Sequence, residues 1–406
     1  MNRTLETAGN LGRFVVRRMW GRARQLTNTM QDHAVNAAKA SYRAVRRPLR
    51  AASRRRAHLN ERWRIYQTEW AIEREIEAIV TRERLLVAGP WLSEVGFETL
   101  YWVPFLHWLK VAFKVDPARV IAVSRGGVGS WYQGVAGRYV EIWDEMDPAE
   151  FARRNAERGV TKQYEPSALD RDILDIVTRR LGTSDFDVLH PGLMYRLLTL
   201  YWSGHRAMGF VDAHLRFQTM TAPPEMIDPA LLPKEYVAVK FYAARSLPDT
   251  PDIRAHLRAT VQALSERLPV VLLDTGLVLE DDHADYTFTA WPADARSSKA
   301  AHVLSARSWM TPRNNLGVQT QIVAGAKAFV GTCGSLAWLA PRLGVDTSAL
   351  FVDPKWLHAH LAVAMRAYHR LDAGRFAVAD LRAVDPLGAR GALGLPSVTG
   401  HVDSPA

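Results

Sequence analysis

Short apolar runs alternate with amphipathic stretches along most of the chain, and this pattern predicts an α/β fold. Runs typical of buried strands include LLVAG at residues 85–89 and RVIAVSRGG at 119–127, both ending in glycine. Further strands are predicted at 138–145, 186–192, 236–242, 269–276, 301–305, 327–332 and 348–353. Apolar strands separated by helices indicate parallel sheets covered on both faces. We therefore expect two doubly wound, Rossmann-like domains.

Changes in this pattern predict the domain boundaries. Residues 1–60 form a basic extension, 61–84 a charged helix, 85–222 the first Rossmann-like domain, 235–371 the second and 372–406 a tail. A proline-rich segment at 221–235 connects the two domains. Since ligands of open α/β sheets bind at the carboxyl ends of the strands, we expect one cleft between the domains.

The positive charge of the chain is concentrated in the extension. The net charge is +10, but residues 1–60 alone contain 14 arginines and lysines against Glu6 and Asp32. The folded body is therefore slightly acidic, and the high isoelectric point does not indicate a nucleic-acid-binding core. Residues 10–30 have the pattern of a basic amphipathic helix, which predicts either contact with an anionic membrane surface or a solvated tail.

The cellular location is predicted from the absence of transmembrane and signal-peptide patterns in the sequence. No apolar run approaches the roughly 18 residues of a transmembrane helix, and arginines interrupt the apolar N-terminal stretch that a signal peptide would need. The single cysteine, Cys333, allows no internal disulfide. A cytoplasmic protein, peripheral on the inner face of the membrane, is the expectation.

The stretch KAFVGTCGSLAWLAPRLGV at 327–345 joins a strand to a helix through small residues. Ser335 is predicted to cap the helix, and Gly331 and Gly334 let the backbone approach a ligand. Free N–H groups at a helix start favour phosphate, although the glycines match neither G-x-G-x-x-G nor a P-loop. A simple capped turn is the alternative.

Cationic and amide side chains accompany this turn in the second domain. Lys240 lies inside the strand run at 236–242 and Arg245 follows it, and both could bind a diphosphate or lie exposed at the rim. Gln319 belongs to a helix start rich in amides, which suit sugar hydroxyls and also serve as ordinary caps. The acidic loop at 274–285 matches no metal-ligand spacing, so no metal site is predicted.

The first domain supplies candidate catalytic groups. Glu94 follows the first strand beside Trp91, which could desolvate the carboxylate and make it a general base. Arg125, Asp144 and His190 end the next three strands, and each is also compatible with a structural role. A serine hydrolase is disfavoured because no G-x-S-x-G is present, and Cys333 lacks the context of a nucleophile.

These stretches resemble a known superfamily. The segments YVAVKFYAARSLPDT and QTQIVAGAKAFVGTCGSLAWLAP resemble the nucleotide-sugar half of GT-B-type glycosyltransferases. GPWLSEVGFETLYWVPFLHWL, VSRGGVGSWY and LHPGLMYRLL resemble the first half of bacterial polysaccharide-type members. The resemblance spans roughly residues 85–370. It implies a donor bound by the second domain, an acceptor bound by the first, and neither metal nor cofactor besides the nucleotide-sugar.

The resemblance also implies roles for particular residues. Lys240 and Arg245 would bind the diphosphate together with Thr332, Gly334 and Ser335, while Ser305, Arg307 and Gln319 would contact the nucleoside or sugar. The acceptor, a glycan or lipid-linked glycan, would contact Trp91 and Arg125. The E-x7-E motif of many retaining members is absent from the matching region, 324–337, which favours inversion with Glu94, Asp144 or His190 as catalytic groups.

Two other functions fit the same pattern. A nucleotide-sugar epimerase would share the architecture but need no acceptor. A scaffold that binds membranes or RNA through residues 1–60 would have an inactive α/β body.

Overall fold

The computed structural model describes residues 37, 39, 42, 55–159, 162–277, 285–286, 302–371 and 373–382. The chain forms two units, residues 1–68 and 69–406. In the first unit, residues 55–68 are helical and most of their side chains are exposed. The amphipathic pattern predicted at 10–30 lies outside the described residues.

The second unit contains two parallel sheets. The first sheet has the strand order β3-β2-β1-β4, with β1 at Leu85–Ala88, β2 at Val120–Ser124, β3 at Arg138–Glu141 and β4 at Phe186–Leu189. Every side chain of β2 is buried, as expected for a central strand covered by helices on both faces. The chain adds β2 and β3 on one side of β1 and then returns to add β4 on the other side, so the strand order reverses between β1 and β4.

The second sheet has the strand order β10-β9-β8-β5-β6-β7. Its strands are β5 (Val237–Lys240), β6 (Val270–Leu272), β7 (Val303–Ser305), β8 (Ala328–Thr332), β9 (Asp346–Phe351) and β10 (Phe376–Asp380). This is the doubly wound order of dinucleotide-binding folds, and its reversal point lies between β5 and β8. The predicted pair of Rossmann-like sheets is confirmed.

Helices alternate with these strands. They are α1 (55–80), α2 (Val95–Phe97), α3 (Val103–Ala112), α4 (Pro148–Glu157), α5 (Ala168–Leu181), α6 (Gly192–Trp202), α7 (Met208–His214), α8 (Pro251–Ser265), α9 (Asn315–Ala324), α10 (Ser335–Leu339) and α11 (His358–Leu371). The predicted stop of α5 is confirmed, since Gly182 takes a left-handed conformation with φ of 66°. Among the described helices, none is long and apolar enough to span a bilayer.

Two elements differ from the sequence-based expectation. The helix predicted at 98–113 begins at Val95 and contains a π-helical turn, Glu98–Trp102, between α2 and α3. Strand β10 pairs with β9 inside the segment expected to be a tail. The tail prediction was therefore wrong for these residues, because five residues at a sheet edge suffice to extend the ladder.

A buried arginine connects the layers that contain the two sheets. Arg342, which is fully buried, donates from Nη1 to the carbonyl of Thr99 at 2.7 Å and from Nε to that of Gln218 at 3.0 Å. Burial lowers the pKa of its guanidinium to about 10. Thr99 belongs to the π-helical turn and Arg342 follows α10, so these bonds hold the helices beside the two sheets together.

Candidate active site

A cavity of about 780 Å³ lies where the carboxyl ends of both sheets meet. The cavity is lined by residues from the loop after β1, the end of β5, helix α9 and the β8–α10 turn. Two Rossmann-like sheets around one cleft form the GT-B-like arrangement that the resemblance implied. Six predicted site residues line this cavity: Glu94, Lys240, Arg245, Gln319, Gly334 and Ser335.

Glu94 reaches the cavity from the loop that follows β1. Its side chain is half-buried and directly precedes α2. Gly96, two residues on, packs against the β8–α10 turn so closely that a Cβ there would lie 2.8 Å from the backbone nitrogen of Ser335. The first-sheet loop and the second-sheet turn are therefore in direct contact, and Glu94 stands beside the predicted donor site.

The β8–α10 turn differs from the prediction in its capping. Gly334, with φ of 143°, occupies the N-cap position, and Ser335 is the first helical residue, without a side-chain capping bond. The prediction that Ser335 caps the helix was wrong, since Gly334 alone can adopt this backbone conformation without strain. Ser335 itself has a φ of 39°, and strained backbone of this kind occurs most often at functional sites.

Lys240 ends β5 and is already paired. Its Nζ lies 2.9 Å from Asp285 Oδ1 and donates to the carbonyl of Leu273 at 3.1 Å. Asp285 also accepts bonds from the backbone and hydroxyl of Thr275. The Lys240 charge is therefore largely offset by Asp285, and this pair forms part of the cavity wall. Binding of a diphosphate by Lys240, which the resemblance implied, would have to compete with this pairing.

Arg245 is the exposed cation of the donor side. Its guanidinium lies 5.4 Å from the centroid of the Trp356 ring, and no ion-pair partner is found for it within the described part of the chain. Gln319 donates from Nε2 to the carbonyl of Asn315 at 3.0 Å, while its buried Oε1 has no hydrogen-bond partner among the described residues. Arg245 and Gln319 thus offer a positive charge and an acceptor to a ligand.

Other predicted site residues are placed where they support the site. Thr332 is buried and exchanges hydrogen bonds with the backbone of Tyr242 through its hydroxyl. Trp91 is fully buried, and Arg125 donates to the carbonyls of Trp91 and Ser93 at 3.0 Å each. These contacts shape the loop before Glu94, and none of these three side chains lines the cavity.

The remaining candidates lie away from the cavity. His190 bonds to Asp170 at 3.0 Å in a buried pair, which makes it a structural histidine. Asp144 forms ion pairs with Arg180 and Arg313 and lines a separate cavity. Ser305 and Arg307 both bind the carboxylate of Asp274. Direct catalysis by His190 or Asp144 and donor contact by Ser305 or Arg307 receive no support from this arrangement, because none of the four residues lines the cavity.

The acidic loop is only partly described. Asp274 and Asp285 pair with Arg307 and Lys240, whereas residues 278–284 lie outside the described residues. The two described acids therefore act as ion-pair partners.

Sequence reasoning missed two residues that line the cavity, Lys162 and His360. The Lys162 ammonium lies 5.0 Å from the centroid of Phe97 and 5.1 Å from that of Trp202. His360 Nδ1 and the Tyr101 hydroxyl are hydrogen-bonded at 2.6 Å. Burial, together with the charge of Lys162, lowers the pKa of the His360 imidazole to about 4. Neither residue follows a strand, so no pattern in the sequence indicated them.

Glu98, the residue after Phe97, has a fully buried carboxyl group. Glu98 Oε1 accepts bonds from the Ser124 hydroxyl at 2.6 Å and the Tyr132 hydroxyl at 2.5 Å, and Oε2 has no partner among the described residues. Burial raises the pKa of Glu98 to about 7, although Arg125 acts in the opposite direction.

Comparisons with known proteins give weak structural matches. No family model and no curated protein matches the chain. The E. coli ADP-heptose LPS heptosyltransferase II is 12% identical, covers 76% of this chain and 97% of its own, and has a TM-score of 0.45. E. coli heptosyltransferase WaaC, solved with ADP, is 14% identical, covers 75% and 97%, and has a TM-score of 0.37. At these TM-scores the similarity carries no functional conclusion for this chain.

Proposed function

We propose that the protein is a glycosyltransferase that moves a sugar from a nucleotide-sugar to a hydroxyl of a glycan or lipid-linked acceptor, in the synthesis of bacterial surface polysaccharide. One observation supports this most directly. Glu94, from the first sheet's edge, and Arg245, from the second sheet's edge, line one cavity of about 780 Å³. That volume falls in the range of roughly 300–1,000 Å³ typical of small-molecule sites.

The second-sheet side has the chemistry of a donor site. Arg245 supplies positive charge for a diphosphate, and the unpartnered Oε1 of Gln319 can accept a hydrogen bond from a nucleoside or sugar. The Gly334–Ser335 turn brings main chain to the cavity surface without a large side chain in the way. Fixed charge at this position would stabilise the negative charge that develops on the departing nucleoside diphosphate.

The first-sheet side supplies the base. In the proposed reaction the acceptor oxygen forms a bond to the anomeric carbon, the bond between that carbon and the donor phosphate breaks, and Glu94 takes the hydroxyl proton. Charge balance is kept because the nucleoside diphosphate leaves as the anion. Direct displacement of this kind inverts the anomeric centre, and no metal or further cofactor enters the proposal.

Two cavity variants with matched controls test this function. Glu94→Gln should lower kcat by about 10²–10⁴-fold while nucleoside diphosphate binding is retained, because only proton transfer is lost. Arg245→Met should weaken nucleoside diphosphate binding on the order of ten- to hundredfold, the value of a charge-assisted hydrogen bond. Glu83→Gln and Arg258→Met change exposed residues outside the cavity and should behave as wild type.

The binding measurement is a thermal-shift panel of nucleoside diphosphates, and turnover is followed as release of the free nucleotide from nucleotide-sugars. A shift with one base that Arg245→Met abolishes would support the donor site. Isomerised donor in the absence of acceptor, or no shift with any nucleotide, would contradict the transferase.

The extension is proposed to hold the enzyme at the inner face of an anionic membrane. The reason is its charge, 14 basic residues among the first 60, combined with amphipathic spacing. In the described part of the first unit, Leu59, Trp63 and Tyr66 are more than half exposed, and Trp and Tyr side chains favour the lipid–water interface. This location would suit a lipid-linked acceptor.

A further inference from the structure

Two carboxylates and an imidazole meet outside the candidate active site. Glu69 and Glu73 lie one turn apart on α1, so they share a face of the helix, and His214 is the last residue of α7. One potential ligand atom from each of the three side chains lies within 4.8 Å of the other two. None of the three lines the cavity of the proposed reaction.

The hydrogen bonds of His214 orient its Nε2 toward a carboxylate of this cluster. Its Nδ1 lies 2.8 Å from the carbonyl oxygen of Phe210, which can only accept, so Nδ1 carries a proton. Its Nε2 lies 2.8 Å from Glu73 Oε1, which also accepts. A neutral imidazole that carries its proton on Nδ1 presents the lone pair of Nε2 to the carboxylate, and such a lone pair is what a metal ion binds.

The surroundings of His214 favour a fixed ligand. The imidazole is buried, with 5% of the residue exposed, and lies against the rings of Trp108 and Phe210 at centroid distances of 5.0 and 4.3 Å. A backbone carbonyl that accepts from the other ring nitrogen is the usual arrangement that orients metal-binding histidines. The Nε2 atom is thus held toward the carboxylates of α1.

Arg206 contacts only one carboxylate oxygen of Glu69, Oε2. Its described bonds, from Nε at 2.6 Å and from one terminal nitrogen, both go to Oε2. The second carboxylate oxygen of Glu69 therefore remains available as a ligand, and Arg206 fixes the orientation of the group.

We propose that Glu69, Glu73 and His214 bind a divalent transition-metal ion of the zinc class. Imidazole nitrogen and carboxylate oxygen are both zinc ligands, and the fourth position would hold water. The ion would bind the lone pair of Nε2 and connect the 69–80 part of α1 to α7. This site is separate from the cavity of the proposed sugar transfer.

Metal stoichiometry tests the site in the full chain. The protein is freed of metal with a chelator, dialysed to equilibrium against Zn²⁺, and its zinc is measured by atomic spectroscopy. Glu73→Gln removes a ligand that is 38% exposed, so the variant is expected to fold. Glu75→Gln, on the same helix and paired with Arg196, is the matched control. Circular dichroism verifies that both variants are folded.

Wild type and Glu75→Gln are expected to bind about one more zinc ion per chain than Glu73→Gln, and zinc should raise the melting temperature of the first two only. Mg²⁺, which avoids imidazole, should not produce this difference. Equal zinc binding by Glu73→Gln and wild type would overturn the proposal, and the contact between His214 and Glu73 would then be a hydrogen bond without a metal ion.

Discussion

Glu98 is a fully buried carboxyl group whose bonding partners in the described structure are two hydroxyl groups. Its pKa is about 7 in the folded protein against 4.5 for an exposed glutamate. The folded state therefore binds this proton more tightly than the unfolded state. The stability that Glu98 contributes is fully present below about pH 4.5 and is lost as the pH rises through about 7, a difference of roughly 3 kcal/mol.

The Glu98→Gln variant should lack this pH dependence. A glutamine keeps an oxygen that can accept from Ser124 and Tyr132 but cannot ionise, so the variant should lose less stability than wild type between pH 5 and pH 8. Urea unfolding at several pH values in this window measures the difference. Glu145→Gln, at an exposed position nearby, should follow wild type. Parallel profiles for Glu98→Gln and wild type would show that this carboxyl titrates normally.

Glu94, Lys240 and Arg245 were predicted to face the cleft because they lie at or just after the ends of parallel strands. The carboxyl ends of such strands share one edge of a sheet, so the pattern alone brings these residues toward the cavity that they line. Lys162 and His360 reach the same cavity from a loop and a helix through tertiary packing, which no local pattern encodes. The pairing of Lys240 with Asp285, 45 residues later, could not be predicted for the same reason.

The contact between α2 and the β8–α10 turn depends on the absence of a side chain at Gly96. A Cβ there would lie 2.8 Å from the Ser335 nitrogen and 3.0 Å from Trp338 Cδ1. The backbone atom cannot move alone, so an added methyl would push α2 and the turn apart. This contact positions Glu94 relative to the predicted donor site.

Gly96→Ala should therefore destabilise the protein by about 1–3 kcal/mol, the usual cost of overpacking, and reduce sugar transfer. Urea unfolding gives the first quantity and nucleotide release the second. Gly209→Ala is the matched control: Gly209 lies within α7, no atom stands within 4 Å of its added Cβ, and alanine there should stabilise by about 0.5–1 kcal/mol. A Gly96→Ala protein as stable and active as wild type would show that the two elements can separate freely.

Strands were predicted more reliably than the departures from regular structure. Strands β1, β2, β5, β6 and β8 are largely apolar and almost wholly buried, whereas all five residues of the edge strand β10 are only partly buried. Strand β10 has only the short apolar run FAVA, and it lies in a segment containing glycine and proline that was expected to be a tail. The π-helical turn at Glu98–Trp102 also left no signal, since its residues are as apolar and aromatic as the helix around it.

Charge divides the chain into a basic extension and a near-neutral body. Residues 1–60 contain 14 of the 52 arginines and lysines but only two of the 42 acids. A body without excess positive charge has little net electrostatic attraction to an anionic surface. The net attraction to membranes is therefore expected to come from the extension.

This distribution makes membrane binding separable from catalysis. Each basic residue near an anionic surface contributes about 1 kcal/mol, so replacing Arg17, Arg18 and Arg24 together with glutamine should weaken binding to phosphatidylglycerol vesicles by roughly a hundredfold. Nucleotide release with a soluble acceptor should not change. The control replaces Arg171, Arg179 and Arg258, exposed arginines of the body, and alters the net charge equally. Vesicle sedimentation measures both variants. If they lose binding equally, total charge governs the attraction, and the extension has no special role at the membrane.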